Sequence, residues 1–564
     1  MSESVSSSLP GSGMKHKPPS SSFTSSSSKQ RLSSKSSLRK SLSKQSQDLN
    51  KSMRQLSASI SSSLDLERRR SSIKKLTESV TETVKPETPL GWIAFISSLS
   101  TAILVHEIRL QTRLTYPPLV YAQKDSPVIN EVKHQLAKRK QGNDFLTRDI
   151  KPSLLVGTRG VISSTAAYVL HGPSKRPAHL HFREIVRMHD GANIALDWEM
   201  AIPDQSSYSS SLDTRPTEQQ LKANILYGPI DKPVVIILHG INNDTGFGYM
   251  KSLMRSVADK GWIACGFNFR GCGGQKLSTP RGYSAAYTGD IRTVVRKIEA
   301  RLKKKLIPMQ VGDMEKPYDT DVPVFLVGNS LGANLITKYL GEEGFSKTLP
   351  KCVKGGVSLG NPLEIHSRNV SFPFNILLAA GVKKTVLQSW KAFRDMSNCI
   401  HFGKAMRNVL TSSTIGQLDD AIAPILIRND PVHPFTNRIG YKDGEEYWHD
   451  ASSNRYISHV NVPLLKLSAQ DDFLVVNPAL QSLSRCLENP NVLVVKTKCG
   501  GHLGWMESPP EGFGVGSSWA DIAMVDFIDA VMEMNKSFLS EKSTVSAVDI
   551  VENLYASRNL KSKL

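Results

Sequence analysis

A serine stands at the centre of the pentapeptide Gly328-Asn-Ser330-Leu-Gly332, directly after the apolar run 322–327. A G-x-S-x-G pentapeptide between a buried strand and a helix forces a sharp turn that exposes the serine Oγ, and its glycines allow the backbone to pack closely. Residues 323–327 are predicted to form the strand, and residues 333–343 carry apolar side chains at the spacing of a helix. We therefore expect Ser330 to act as a nucleophile on a carbonyl carbon.

A base and an acid are needed to activate such a serine, and after a turn of this kind the acid precedes the base in the chain. The apolar run 462–467 is a predicted strand, and two acids, Asp471 and Asp472, follow it. His502 comes after the last predicted strand, 492–495, behind two glycines. This order predicts that His502 accepts the proton of the serine and that one of the two carboxylates orients the imidazole.

The negative charge that develops on the carbonyl oxygen must be stabilised by hydrogen-bond donors. The run 232–238 is continuously apolar, as are strands of a parallel sheet covered on both faces, and it leads into His239-Gly240. A strand followed by His-Gly supplies one donor, the backbone amide of Ile241, and the residue after the nucleophile, Leu331, supplies the second. Ile241 and Leu331 are thus the predicted oxyanion hole.

Seven short motifs, in this order, resemble the embryogenesis-associated, YheT-like branch of the α/β-hydrolases. They are His239-Gly-Ile241, Gly266-Phe-Asn-Phe-Arg-Gly-Cys-Gly-Gly274, Thr279-Pro-Arg-Gly-Tyr283, Tyr287-Thr-Gly-Asp-Ile-Arg292, Gly328-Asn-Ser-Leu-Gly-Ala-Asn-Leu335, Lys338-Tyr-Leu-Gly-Glu-Glu-Gly344 and Gly500-Gly-His502. That branch includes membrane-anchored mammalian lipid hydrolases and yeast medium-chain ethyl ester synthases and esterases. The resemblance covers about residues 183–536 and implies an α/β fold, in which helices cover a mostly parallel central sheet and a helical insertion forms a lid.

The resemblance implies a carboxylester hydrolase that works through an acyl-enzyme on Ser330, with Asp472 and His502 completing the triad. An Asp followed by one residue and an apolar pair is the usual layout of the acid in α/β-hydrolases, which favours Asp472 and leaves Asp471 as the alternative. Lipid or medium-chain acyl esters are the expected substrates. Two other functions stay open: acyl transfer to an alcohol acceptor, and a non-catalytic, membrane-associated scaffold that keeps the fold.

Five segments are expected along the 564 residues. They are a disordered basic tail at 1–87, a membrane anchor helix at 88–106, an extension that wraps the core at 107–182, the hydrolase domain at 183–540 with its lid at about 362–459, and a C-terminal tail at 541–564. Within the hydrolase domain, alternating residues around Asp190-Gly191 predict a hairpin of two antiparallel strands.

The tail at 1–87 contains sixteen Lys and Arg residues against seven Asp and Glu, and serine dominates the rest. Such a segment has too little apolar surface to offset the loss of chain entropy, so disorder is expected. The composition fits either a plastid or mitochondrial transit peptide or a tail attracted to anionic lipid. It lacks the interleaved aromatic residues that single-stranded nucleic acid would require, so no nucleic-acid partner is predicted.

The segment 88–106 contains no Lys, Arg, Asp or Glu, and its length is near the lower limit for a helix that crosses a bilayer. A buried amphipathic helix is the alternative interpretation, since the segment also carries several Ser and Thr hydroxyls. We expect a single-pass membrane protein of the endoplasmic reticulum or another endomembrane. Because the basic residues lie mostly before the segment, the N-terminus would stay cytosolic.

The six cysteines are scattered, without a C-x-x-C motif or a metal-ligand pairing with histidine. The glycine-rich segment Arg270-Gly-Cys-Gly-Gly274 lacks the Gly-Lys-Ser/Thr end of a phosphate loop and is predicted to be a tight turn. We therefore predict no cofactor, no metal and no required disulfide. The oligomeric state is not determined by any of these patterns.

Overall fold

The computed structural model describes most of the chain from residue 89 to residue 536. The described ranges are 89–170, 179–202, 216–279, 281–306, 318–366, 370–389, 392, 400–429, 437–475, 480–510 and 514–536. The predicted tails at 1–87 and 541–564 lie outside the described residues, as does Cys399. The predicted segment boundaries therefore stay predictions at both ends of the chain.

The centre of the fold is a sheet of nine strands. The strands along the chain are β1 (Leu119–Ala122), β2 (His179–Arg187), β3 (Asn193–Ala201), β4 (Val234–Leu238), β5 (Ile263–Asn268), β6 (Lys305–Leu306), β7 (Tyr318–Asp319), β8 (Val324–Asn329), β9 (Val353–Leu359), β10 (Ile427–Asn429), β11 (Asn437–Ile439), β12 (Leu464–Ala469) and β13 (Val492–Thr497). The sheet has the order β1-β13-β12-β9-β8-β4-β5-β3-β2, while β6 with β7 and β10 with β11 form two small ribbons. The five pairings from β13 to β5 are parallel.

Several helices cover the two faces of this sheet. The helices along the chain are α1 (Pro89–Leu114), α2 (Pro127–Lys140), α3 (Gly160–Val169), α4 (Glu218–Tyr227), α5 (Gly248–Asp259), α6 (Gly289–Arg301), α7 (Leu331–Ser346), α8 (Phe374–Gln388), α9 (Ile400–Thr411), α10 (Ile415–Ile422), α11 (Gly444–Ala451), α12 (Leu480–Glu488) and α13 (519–536). A separate apolar core fills the space on each side of the sheet. The predicted α/β class with a mostly parallel, helix-covered sheet is confirmed.

The apolar runs of the sequence form the inner strands because each is buried on both faces. All five residues of β4 and all six of β8 are buried, which a parallel strand between two helical layers requires. Parallel neighbours end at the same edge of a sheet, so the segments that follow β4, β8 and β12 are brought together there. The predicted nucleophile, acid and oxyanion loop all follow these strands.

Two antiparallel additions extend the parallel strands at opposite edges. The hairpin predicted around Asp190-Gly191 is present as β2 and β3, and β3 pairs with β5. At the other edge, β1 pairs antiparallel with β13. The segment expected only to wrap the core thus contributes an edge strand of the sheet.

The region between β9 and β12 holds helices α8 to α11 and the ribbon of β10 and β11. This region was predicted to insert as a lid at about 362–459. Helix α10 has a buried apolar face formed by Ile415, Leu418 and Ala421, against which partly buried side chains of α8 pack. These helices supply most of the apolar wall of a cavity that includes the predicted nucleophile.

The predicted membrane span corresponds to the first part of α1. Among the described residues, no helix is long and apolar enough to cross a membrane. The prediction of a single-pass membrane location is therefore wrong. The physical reason lies in the composition of α1, whose hydroxyl side chains interrupt its apolar stretch and whose second half is charged.

The charged half of α1 binds to the hydrolase core. Glu107 accepts a hydrogen bond from the hydroxyl of Thr158 at 2.9 Å and pairs with the guanidinium of Arg159 at 2.5 Å. Gln111 is buried and donates to the carbonyl of Pro152 at 2.7 Å. Because polar partners satisfy these side chains, this part of the helix packs against protein.

One buried carboxyl group in the core should make the stability of the protein depend on pH. Asp521, in α13, is buried, and the hydroxyl of Ser252 donates to it. Burial raises the pKa of Asp521 to about 7, and the bond from Ser252 opposes this rise. Between about pH 4 and pH 7 the folded state holds a proton that the unfolded state has lost, so this group makes stability fall as pH rises.

We expect Asp521→Asn to stabilise the protein at pH 8, because the amide keeps an acceptor for Ser252 and carries no charge. The gain at pH 8 should exceed the gain at pH 5 by roughly 2–3 kcal/mol. Denaturant unfolding at both pH values measures the difference. The exposed Asp231 is the matched control, and Asp231→Asn should change the free energy of unfolding by less than about 0.5 kcal/mol. An equal effect of Asp521→Asn at both pH values would contradict the assignment.

Candidate active site

Ser330 lies at the turn between β8 and α7, in a backbone conformation that few residues adopt. Its φ is 53° and its ψ is −110°. The two glycines of the pentapeptide permit this turn, because a Cβ on Gly328 would lie 2.3 Å from the carbonyl oxygen of Gly332, and a Cβ on Gly332 would lie 2.7 Å from that of His239. The turn is thus a strained strand-to-helix elbow of the kind that presents a serine.

The structure brings Ser330, His502 and Asp472 into one hydrogen-bonded line. Nε2 of His502 is 2.8 Å from Oγ of Ser330, and Nδ1 of His502 is 2.9 Å from Oδ2 of Asp472. The other carboxylate oxygen of Asp472 accepts from the amides of Leu474 at 2.9 Å and Val475 at 3.0 Å. Because the carboxylate faces Nδ1, the proton of the neutral imidazole belongs on Nδ1, which leaves Nε2 free to accept the serine proton.

The alternative acid, Asp471, points elsewhere. Its Oδ1 accepts a hydrogen bond from the amide of Gly501 at 2.8 Å. Burial raises the pKa of Asp471, while hydrogen bonds from the backbone of Gly501 and Gly500 act in the opposite direction. Asp471 therefore holds the loop that carries His502 and does not contact the imidazole.

A residue that sequence reasoning missed also supports this loop. The amide of His502 donates to Oγ of Ser164 at 2.8 Å, and Ser164 in turn donates to the carbonyl of Gly160 at 2.8 Å. Gly501 packs so closely that a Cβ there would lie 2.1 Å from the same Gly160 oxygen. Ser164 lies in α3, more than three hundred residues before His502, and no motif around it signals this role.

The loop after β4 lies against the nucleophile. A Cβ on Gly240 would lie 3.4 Å from the Cβ of Ser330. Ile241 and Leu331 both line the same cavity as Ser330. Leu331 is the first residue of α7, where a helix leaves its amides without an intrahelical partner. These positions are compatible with the predicted oxyanion hole, whose role stays a prediction.

His239 fixes the shape of this loop and takes no proton at neutral pH. The amide of Phe269 donates to its Nε2 at 3.1 Å, so Nδ1 carries the proton and donates to the carbonyl of Gly240 at 2.7 Å. Complete burial lowers the pKa of His239 to about 4. The imidazole is therefore a neutral structural group with both nitrogens satisfied.

The same loop is bonded to a helix of the lid region. Asn242 donates from Nδ2 to the carbonyl of Leu378 in α8 at 2.9 Å and accepts from the hydroxyl of Tyr283 at 3.3 Å. Gly381 leaves room for this contact, since a Cβ there would lie 2.3 Å from Nδ2 of Asn242. The position of α8 is thus coupled to the backbone that follows Ile241.

An apolar cavity of about 170 Å³ begins at Ser330. Helices α8, α9 and α10 supply much of its wall through Leu378, Val382, Val386, Met406, Ile415 and Ile422. Charged and polar side chains also line it, namely Arg270, Glu364, His366 and Asp419. Asp419 accepts a hydrogen bond from Nε1 of Trp448 at 2.9 Å, and burial raises its pKa to about 7. The mainly apolar cavity therefore suits a hydrocarbon chain, and its few polar side chains could contact polar parts of a substrate.

Among the described residues, one group of side chains has the types and spacing of metal ligands. His179, His181 and Glu199 place ligand atoms within 4.8 Å of one another. Glu199 Oε1 lies 3.0 Å from Nδ1 of His179 and 3.0 Å from Nε of Arg255. A guanidinium on the carboxylate favours an ion-pair network over a cation site. The prediction of a reaction without metal or cofactor stays a prediction.

The sequence was compared with protein families and with curated proteins. The family model described as serine aminopeptidase, S33, matches residues 230–508. An embryogenesis-associated protein, EMB8, of Picea glauca is 26% identical over 358 residues, which cover 63% of this chain and 67% of that protein. A monoacylglycerol lipase of Saccharomyces cerevisiae is 29% identical, with 49% and 55% covered, and a phospholipase, ABHD3, of Mus musculus is 27% identical, with 59% and 68% covered. The chain thus spans only about half the length of the yeast relative.

The nine-stranded sheet, the elbow at Ser330 and the family match define a member of the α/β-hydrolase superfamily. Within it, this chain is similar to proteins of the embryogenesis-associated type. The resemblance stated from the seven motifs is confirmed. The prediction of an enzyme of the carboxylester hydrolase class is confirmed as well.

Proposed function

We propose that this protein is a serine hydrolase that cleaves lipid or medium-chain acyl esters through an acyl-enzyme on Ser330. One observation carries the proposal: the line from Ser330 through His502 to Asp472 begins at an apolar cavity. The hydroxyl, the base and the acid are all within hydrogen-bonding distance of one another in turn. A scaffold without activity would have no need of this alignment.

The reaction follows from the geometry in two halves. Oγ of Ser330 attacks the acyl carbonyl while Nε2 of His502 takes its proton, and the amides of Ile241 and Leu331 bind the resulting oxyanion. His502 then gives the proton to the leaving alcohol, which departs as the acyl-enzyme forms. Asp472 holds the imidazolium throughout and remains ionised. His502 next takes a proton from water as the water oxygen attacks the acyl carbon, and it returns this proton to Oγ of Ser330 when the acyl–Oγ bond breaks and the carboxylic acid leaves.

The substrate class rests on the cavity and on the names of the relatives. The wall is mostly aliphatic and aromatic, which suits an acyl chain. Two of the similar proteins are named a monoacylglycerol lipase and a phospholipase. Asp419 could form a hydrogen bond with a polar group of the substrate that lies next to the acyl chain. We therefore favour acylglycerols and related lipid esters.

Acyl transfer differs from hydrolysis only in what resolves the acyl-enzyme. An alcohol that reaches Ser330 in place of water would give a new ester. The partition between acid and ethyl ester, measured with ethanol added to the reaction, decides between the two. A predominance of ethyl ester at millimolar ethanol would make transfer the main activity.

The apolar cavity predicts a preference for longer acyl chains. Each buried CH₂ contributes about 0.8 kcal/mol, or roughly fourfold, until the cavity is filled. We expect kcat/KM for p-nitrophenyl esters to rise at least tenfold from the acetate to the octanoate. A flat or falling profile, with the acetate hydrolysed well, would contradict a lipidic substrate.

Two substitutions in α8 test whether this cavity sets the preference. Val386 lines the cavity, whereas its neighbour Leu387 is 47% exposed. Val386→Phe should reduce kcat/KM for the octanoate about tenfold and leave the acetate nearly unchanged. Leu387→Phe, on the same helix, should alter neither.

A further inference from the structure

A second cavity, of about 370 Å³, lies beside the acid of the triad. Polar side chains from the ends of β12 and β13 and from the loops after β9 and β12 line it: Asn361, Lys466, Ser468, Gln470, Asp472 and Lys496. In β12, Lys466 and Ser468 are two residues apart and therefore share a face of the sheet. Lys496 is the register partner of Ser468 in β13, on the same face. Two lysines are thus directed to one cavity.

Lys466 is an unusual residue for the middle of a sheet. It is 3% exposed, and it makes no hydrogen bond or ion pair with any residue that the structure describes. Burial lowers its pKa, and the nearby Lys496 acts in the same direction, whereas Cys486 and Asp472 oppose them. No other titratable group of the described residues contributes to this balance. Among the residues that the structure describes, the amine therefore has no ion-pair partner.

A buried ammonium group without a partner costs free energy, so such groups are rare unless paired. Two arrangements relieve the cost. The amine loses its proton, or an anion from solution enters the cavity and supplies the missing charge. The second arrangement is open here, because the cavity is large enough for a small ion and Lys496 adds a second positive charge.

We propose that this cavity binds a small anion, a carboxylate or a phosphate, between Lys466 and Lys496. Asn361, Ser468 and Gln470 add hydrogen-bonding groups around it. Asp472 is the only acid among the described residues of the lining, and it is already engaged with His502 and two backbone amides. The lining therefore favours an anion over a cation.

The site is distinct from the substrate cavity but adjacent to it. Ser330 lines the apolar cavity and Asp472 lines the anion cavity, and Val475 borders both. A bound anion would lie beside the acid that orients His502. The inference does not depend on the proposed function, because it concerns binding and not ester cleavage.

Calorimetry at pH 7.5 tests the proposal with two probes, inorganic phosphate and butyrate, against chloride at equal ionic strength. We expect the wild-type protein to bind at least one of the two probes, and the tighter one identifies the source of the anion. Lys466→Met removes the charge and shortens the unbranched side chain by only one heavy atom, and it should weaken binding at least tenfold. Lys351, an exposed lysine outside the cavity, is the matched control, and Lys351→Met should bind as the wild type does.

Two further measurements keep the test decisive. Lys496→Met changes a half-buried side chain and leaves Lys466 in place, and it should weaken binding several-fold even if Lys466→Met does not fold. Ser330→Ala should bind the probes like the wild type, which separates this site from the ester site. Absence of binding by the wild type, or equal binding by Lys466→Met, would overturn the proposal.

Discussion

Replacement of Ser330 by alanine is expected to abolish ester turnover and labelling by a fluorophosphonate probe. Oγ of this residue lies 2.8 Å from Nε2 of His502, the base that would take its proton. Loss of the nucleophile in a serine hydrolase lowers kcat by about 10⁴-fold or more. The kcat for p-nitrophenyl octanoate and gel detection of the labelled protein measure the effect.

The fold should survive this change, because alanine keeps the Cβ and removes only the hydroxyl. The melting temperature of Ser330→Ala should stay within a few degrees of the wild type. Ser346, the exposed last residue of the same helix α7, is the control, and Ser346→Ala should be labelled normally. Unchanged labelling of a folded Ser330→Ala would remove Ser330 from the mechanism.

The second large effect is expected for Asp472→Asn. Oδ1 of Asp472 accepts from the amides of Leu474 and Val475, and an asparagine would place its own oxygen there. Its NH₂ group would then face Nδ1 of His502 and donate to it, so that the imidazole proton moves to Nε2. That tautomer cannot accept the proton of Ser330. A comparable change in a serine protease lowers kcat about 10⁴-fold, and a fall of that order is predicted here.

Asp471→Asn is the matched control, one residue earlier in the chain. Asparagine keeps an oxygen for the amide of Gly501, so the loop should hold its shape and kcat should fall less than tenfold. Steady-state kinetics of the two variants on one ester measures the contrast. The reverse order of effects would assign the orienting acid to Asp471.

Short sequence patterns were enough to predict the positions of the nucleophile, the histidine and the pair of candidate acids. The elbow requires a strand, a glycine-flanked serine and a helix within a short stretch of chain, and each part has its own signal. The acid and the histidine each follow an apolar strand, and parallel strands end at one edge of the sheet. The residues alone did not decide whether Asp471 or Asp472 orients His502. The two acids are adjacent in sequence, and the path of the loop determines which of them faces the imidazole.

Contacts between distant segments could not be predicted. Ser164 supports the loop of His502 from α3, and the paired residues of β1 and β13 are more than 370 positions apart in the chain. Neither the sequence around Ser164 nor that of β1 contains a pattern that predicts which distant segment it contacts. Both contacts depend on the tertiary arrangement of segments that are far apart in sequence, and no short motif predicts that arrangement.

The prediction of a membrane-spanning helix was wrong for a related reason. A stretch without charged residues at 88–106 satisfied a length criterion, but α1 continues to Leu114. Residues beyond the stretch, such as Glu107 and Gln111, bind to protein groups. Hydropathy of an isolated window does not include the partners that a helix finds in the folded chain.

The hydrogen bond between Ser164 and His502 bears on where an active fragment of this chain can begin. The region that matches the family model starts at residue 230. The loop that carries His502, however, is hydrogen-bonded to a helix that ends at Val169. Trimming the chain to the recognisable region would remove that support together with three strands of the sheet. The region that carries the family's catalytic motifs is therefore shorter than the region that must be present for the active site to fold.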